Sequence, residues 1–129
     1  MAEASYPDDL RYHDQHDWVR IEGDSATFGI TWYAQDTLGE VVFFEPPEVG
    51  TTLTKDQPYA EVESVKAVSD VIAPMSGEVT EVNDALSDGP EQINEEPYGS
   101  GWLVKVALSH PEEAEALLSA AEYQKLLDR

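Results

Sequence analysis

Apolar residues recur at every second position in short runs, and each run is soon cut by glycine, proline, asparagine or aspartate. Residues 18–22, 26–30, 59–63, 68–72 and 78–82 read this way. Residues 40–45 and 102–108 are instead dense in β-branched and aromatic side chains. A period of two buries one face of a strand and exposes the other, so these runs do not suit amphipathic helix. Gly23-Asp24 turns the first run into the second, and Pro46-Pro47, which have no amide hydrogen to give a ladder, end the third. The chain is therefore expected to be mainly β, a flattened barrel or sandwich of short antiparallel strands with helices packed outside.

Helical signals are few. Thr31 can cap a short internal helix in which Trp32, Ala34, Gln35 and Leu38 share a face, with Gly39 just past its end. Ser109-His110-Pro111-Glu112 and the stretch from Ser119 to Glu122 both have capping-box spacing, which predicts C-terminal helices over 110–128. Residues 83–98 read as a long loop with at most one helical turn, anchored by Leu86 and Ile93, and residues 50–57 as another loop. At 129 residues one domain is expected, over 11–129, with 1–10 a flexible N-terminal segment that carries Pro7.

The formal net charge is −20, from 27 acids against 7 lysines and arginines. Such a surface repels phosphate backbones and anionic lipid, so no nucleic acid and no membrane partner is expected, and self-repulsion favours a soluble monomer. A salt-rich cytoplasm, where that repulsion is screened, is a second explanation of the acidity. No apolar run approaches the roughly 18 residues that span a bilayer, and residues 1–9 have no signal-peptide core. Cysteine is absent, which removes thiol catalysis, thiolate metal ligation and disulfides and fits a cytoplasmic location.

Motifs for catalysis are equally scarce. His13 and His16 lie three apart beside Asp14 and Asp17, but His110, the remaining histidine, is remote, and the set falls short of a metal's requirement. There is no Gly-x-Ser-x-Gly elbow and no phosphate-binding glycine pattern. Acid pairs such as Glu61/Glu63 and Glu95/Glu96 are what this composition supplies by chance.

One lysine stands out. Residues 61–77, E-V-E-S-V-K-A-V-S-D-V-I-A-P-M-S-G, read as two strands meeting at a turn that holds Lys66, with small Ser64 and Ala67 beside it. A lysine at a hairpin tip commonly serves solubility or edge protection. An exposed amine is also a poor nucleophile unaided, and is better suited to being acylated by another enzyme.

Several segments in order resemble the H protein of the glycine cleavage system, a family of lipoyl carriers. They are Gly29-Ile30-Thr31 with Ala34-Gln35, Leu38-Gly39-Glu40-Val41-Val42, Pro47-Glu48-Val49-Gly50, the stretch from Glu63 to Val71 around Lys66, Ala73-Pro74 with Ser76-Gly77-Glu78-Val79, Asn94-Glu95 with Pro97-Tyr98-Gly99, and Gly101-Trp102-Leu103. The likeness covers about residues 11–129, with a lipoyl-binding core over about 26–108. Biotin carriers usually place methionines on both sides of the modified lysine, where this chain has Val65 and Ala67. Lipoyl domains of 2-oxo acid dehydrogenases commonly have an acid just before the lysine and lack the C-terminal extension, so a carrier for another multienzyme complex is the alternative.

The resemblance implies that Lys66 carries lipoate as an amide. It also implies that the arm takes an aminomethyl group from glycine decarboxylase (P protein), gives it to an aminomethyltransferase (T protein), and is reoxidised by dihydrolipoyl dehydrogenase (L protein). The carrier itself would be non-catalytic. In this family the loaded arm is sheltered in a cleft whose carboxylates pair with the cargo cation. By motif position Asp17 and Asp70 would take that role, Asp17 standing where the family usually has glutamate. Thr37 departs from members with histidine in that stretch. Glu63, with Glu61, would be read by the lipoate-attaching enzyme.

Overall fold

The computed structural model describes residues 5–128. In chain order its strands are β1 (Arg11–Tyr12), β2 (Asp17–Glu22), β3 (Ser25–Ile30), β4 (Val41–Glu45), β5 (Thr52–Leu53), β6 (Pro58–Ser64), β7 (Val68–Ile72), β8 (Gly77–Val82) and β9 (Val104–Leu108). The helices are α1 (Trp32–Leu38), α2 (Gln92–Glu95) and α3 (Ala120–Leu127). Pairing is antiparallel throughout, in a six-stranded sheet ordered β1-β2-β3-β9-β8-β5 and a three-stranded sheet ordered β4-β6-β7. Neither sheet closes on itself, so the sandwich half of the expectation holds. The alternating residues supply its core: Val19, Phe28, Val62, Val79, Val104 and Val106 are fully buried together.

A second apolar cluster, Leu10, Tyr12, Trp18, Ala120 and Tyr123, fastens α3 to the outside of the larger sheet. Tyr12 stacks on Tyr123 with centroids 5.0 Å apart, and Tyr12 also bridges backbone to backbone with Leu118. Residues 5–10, expected within the N-terminal segment, pack against this cluster. Leu10 is buried, Tyr6 meets Tyr12 and Tyr123 edge-on, and the Tyr12 hydroxyl donates to the Pro7 carbonyl at 2.8 Å. Aromatic burial outweighs the polar neighbours there. Residues 1–4 lie outside the described residues.

Helix α1 forms as expected: the Thr31 side chain accepts from the Ala34 amide, and Gly39, at φ 82°, closes the end by donating to Gln35. The Ser119 box also forms with both reciprocal bonds. The Ser109 box does not. Residues Pro111–Ala116 make a 3-10 helix with no side-chain cap, and the chain is extended by Leu117. Leu118 exchanges backbone bonds of 2.8 and 2.7 Å with Tyr12, which requires extended backbone where a longer helix would continue. The Ser109 amide donates to the Ser76 carbonyl at 3.2 Å, and the box carboxylate, Glu112, lies 3.3 Å from His110 Nδ1 instead.

Two expected loops hold more structure than the sequence suggested. Residues 83–98 contain the 3-10 helix Asp84–Ser87 and α2, pinned by fully buried Leu86 and Ile93. Residues 50–57 contain β5, which covers the edge of β8. Among the described residues no helix is long and apolar enough to cross a membrane.

Candidate functional site

Strands β6 and β7 meet at Val65-Lys66, and the tip is fixed by its own backbone. The Ser64 amide donates to the Ala67 carbonyl at 2.8 Å. The buried Ser64 hydroxyl oxygen accepts from the Lys66 and Ala67 amides at 3.3 and 3.1 Å. The Val65 amide donates to the Glu40 carbonyl at 3.0 Å, which docks the tip against the segment after α1. The lysine stem runs past Gly39, where a Cβ would be in ordinary contact with it, 3.4 Å from Lys66 Cε. Lys66 is exposed and none of the ion pairs among the described residues includes it. A rigid root therefore carries an accessible amine.

Beside this tip a cleft of about 410 Å³ opens between β7 and α1. Its apolar lining comes from Ile30, Leu38, Val62 and Val71, and Ala67 carries it up to the tip. Its polar groups include His16, Asp17 and Asp70, so the fold brings both predicted sheltering carboxylates into one cleft with the lysine at its margin. Thr37 lines it as well. A larger groove of about 540 Å³ runs past Pro46, Leu53 and Tyr59 to Asp70, but its lining stops short of the tip.

The two carboxylates differ in setting. Asp70 is exposed on β7, whereas Asp17 is only 1% exposed. The Tyr59 hydroxyl donates to Asp17 Oδ2 at 3.1 Å. Burial pushes the Asp17 carboxyl well above the usual carboxylate range, and this hydrogen bond pulls it partly back. Tyr59 rises in turn through burial and the Asp17 charge beside it.

Glu61 and Glu63 lie elsewhere, on the exposed outer face of the small sheet. Across its strands Glu45, Glu61 and Asp70 stand in one row, and Phe43, Glu63 and Val68 in the next. Like charges directly opposite each other disfavour pairing, so the acidic row is not there for strand stability.

The histidine pair separates. His13 Nε2 lies 2.7 Å from Asp56 Oδ1, while His16 Nδ1 lies 2.7 Å from the Tyr123 hydroxyl. Among the described residues no group of three or more His, Cys, Asp or Glu side chains is arranged to hold a metal ion. Sequence reasoning missed Tyr59, Tyr33 and His16 as neighbours of the cleft. The only signal for His16 was its place just before Asp17.

The model of the family described as "Glycine cleavage H-protein" matches residues 10–129. The glycine cleavage system H protein of Rubrobacter xylanophilus is 54% identical over 125 residues, covering 97% of each chain. That of Halorhodospira halophila is 52% identical over 125 residues, covering 96% of each. A crystal structure of a glycine cleavage system H protein from Mycobacterium marinum superposes with a TM-score of 0.87 at 42% identity, covering 95% of this chain and 99% of that one. A match that runs through the lysine hairpin, the cleft and the C-terminal helix alike means that this chain belongs to the glycine cleavage H-protein family.

Proposed function

We propose that this chain is the lipoyl carrier of a glycine cleavage system, with lipoate held as an amide on Lys66 and residues 11–129 acting as one carrier domain. The observation that carries the reading is the accessible Lys66 on a backbone-fixed tip beside a largely apolar cleft. Held on Lys66, lipoate would supply a cyclic disulfide, a two-electron acceptor that can also bear an aminomethyl group on sulfur. The residues present fit such a group: the tip is open, and the cleft offers aliphatic walls to an aliphatic arm.

The protein's own contribution is positional. A fixed root raises the effective concentration of one cargo at successive active sites. Asp70 at the rim and Asp17 at the floor would meet a cationic cargo inside the cleft, and a cation there favours the charged form of Asp17. Withdrawal from water slows hydrolytic loss of the cargo. No step requires this chain to act as a catalyst. Its partners are the P, T and L proteins and the lipoate-attaching enzyme, and the exposed row of Glu61 and Glu63 suits recognition by a basic surface on the last.

Intact mass tests the reading. Incubation with a lipoate ligase adds one lipoyl group, and Lys66→Arg abolishes the addition while leaving stability within about 0.5 kcal/mol, as for an exposed substitution. Modification at Lys55, Lys105 or Lys125 instead would overturn it.

A further inference from the structure

His16 lies in the cleft wall with a backbone φ of 80°, in the left-handed region that a side chain with a Cβ rarely adopts. Three contacts hold it there. Its amide donates to the His13 carbonyl at 2.9 Å, its carbonyl accepts from the Thr31 amide at 3.0 Å, and Nδ1 lies 2.7 Å from the Tyr123 hydroxyl. The same hydroxyl is 2.8 Å from Thr31 Oγ1. Groups from the loop before β2, the start of α1 and the C-terminal helix thus converge on one phenol oxygen.

The direction of this relay follows from hydrogen-bond accounting. Thr31 is fully buried, and its hydroxyl oxygen already accepts from the Ala34 amide at 3.2 Å. Among the described residues the Tyr123 oxygen is the one acceptor within reach of the Thr31 hydroxyl hydrogen. Leaving a buried hydroxyl hydrogen unused is costly, so Thr31 donates to Tyr123. Tyr123 then donates to His16 Nδ1, and the neutral ring carries its proton on Nε2. That Nε2–H has no protein partner among the described residues, and it is not sealed from solvent. Burial holds His16 below its ordinary range, with Asp14 opposing and His13 assisting, which keeps the ring neutral. Tyr33, tilted against the imidazole at 4.8 Å, limits its rotation.

We infer that His16 is a positioning residue of the cleft, presenting Nε2–H as a preset donor to a hydrogen-bond acceptor of the acyl arm, its amide carbonyl or a sulfur. An N–H donor repels a cationic cargo and attracts an acceptor. The cleft therefore divides the work, with His16 holding the arm and Asp17 and Asp70 facing the cargo. The inference rests on the reading that Lys66 is acylated, and its test separates the two.

Nitrogen-15 NMR of the imidazole, recorded on protein whose acylation state has been verified by mass, is the experiment. In the unmodified chain His16 is expected as the Nε2–H tautomer, with Nδ1 as the acceptor. Lipoylation shifts the Nε2–H resonance and slows its exchange with water several-fold. Octanoylated protein keeps the amide and lacks the sulfurs, so an equal effect there identifies the carbonyl, and an effect confined to lipoyl identifies a sulfur. Tyr123→Phe keeps the ring packing and removes the relay; the tautomer then becomes mixed and the protection on acylation falls. An Nδ1–H tautomer in the unmodified wild type overturns the inference whether or not the variant folds. So does an Nε2–H whose exchange is the same in verified acylated and unmodified protein. Absence of the acyl mass on Lys66 overturns the reading beneath it instead.

Discussion

Replacing Asp17 by asparagine isolates the electrostatic state of the cleft floor. The side chain keeps its shape and an oxygen to accept the Tyr59 hydroxyl, now 3.1 Å from Oδ2, but loses its ionisation. Because burial raises the folded carboxyl above its unfolded value, the folded state binds a proton more tightly than the unfolded state does. That contribution to stability is complete below the unfolded pKa, about 4, and is lost as pH rises through the raised folded value. Wild type therefore loses stability relative to Asp17→Asn from about pH 4 upwards, with a slope of up to about 1.4 kcal/mol per pH unit while the folded carboxyl stays protonated. The new amide N–H groups add a cost of about 1–3 kcal/mol that does not vary with pH, so the slope carries the signal and the absolute offset does not. For a domain of this size, each kcal/mol moves the melting temperature by about 3–5 °C. Urea denaturation of both proteins between pH 4 and 8 measures the difference directly. A constant difference across that range would refute the claim that the buried Asp17 carboxyl is raised.

Gly29 lies opposite Trp18 in the β2–β3 pair, and a Cβ there would stand 2.6 Å from three indole atoms. The indole is fully buried and donates to the Pro97 carbonyl at 2.8 Å, so Gly29→Ala is expected to cost about 2–3 kcal/mol as overpacking, read as a lower urea midpoint at unchanged slope. Glu63→Gln leaves stability within about 0.5 kcal/mol, because the residue is exposed, but slows lipoate attachment several-fold at low salt and less at high salt, measured by the time course of the mass change. With a formal net charge of −20, the melting temperature should climb as salt rises from millimolar to molar, and a flat response would remove self-repulsion as a factor.

Local patterns were legible wherever a local interaction decides the outcome. Thr31, Gly39 and the Ser119-Glu122 box act within a few residues of themselves, and each does in the fold what its spacing predicts. The Ser109 box carries the same local signal and fails, because Tyr12 takes the Leu118 backbone and the Ser76 carbonyl takes the Ser109 amide that Glu112 would have accepted from. Likewise no local pattern around Pro7 shows that Tyr6 and Leu10 find aromatic partners on α3 and β1. Propensity is a weak prior against such long-range burial.

By itself the sequence determined the antiparallel hairpins, the tip that carries Lys66 and the family to which the chain resembles its relatives, since period-two alternation and motif order are one-dimensional properties. Only the tertiary structure decided what surrounds that lysine. It set Tyr59 against Asp17 across 42 positions and Tyr123 against His16 across 107, put Asp17 and Asp70 into one cleft, and left Glu61 and Glu63 outside it. No spacing rule reaches such distances, because which side chains meet depends on how the two sheets and α3 pack, and that is settled by burial of the whole core together.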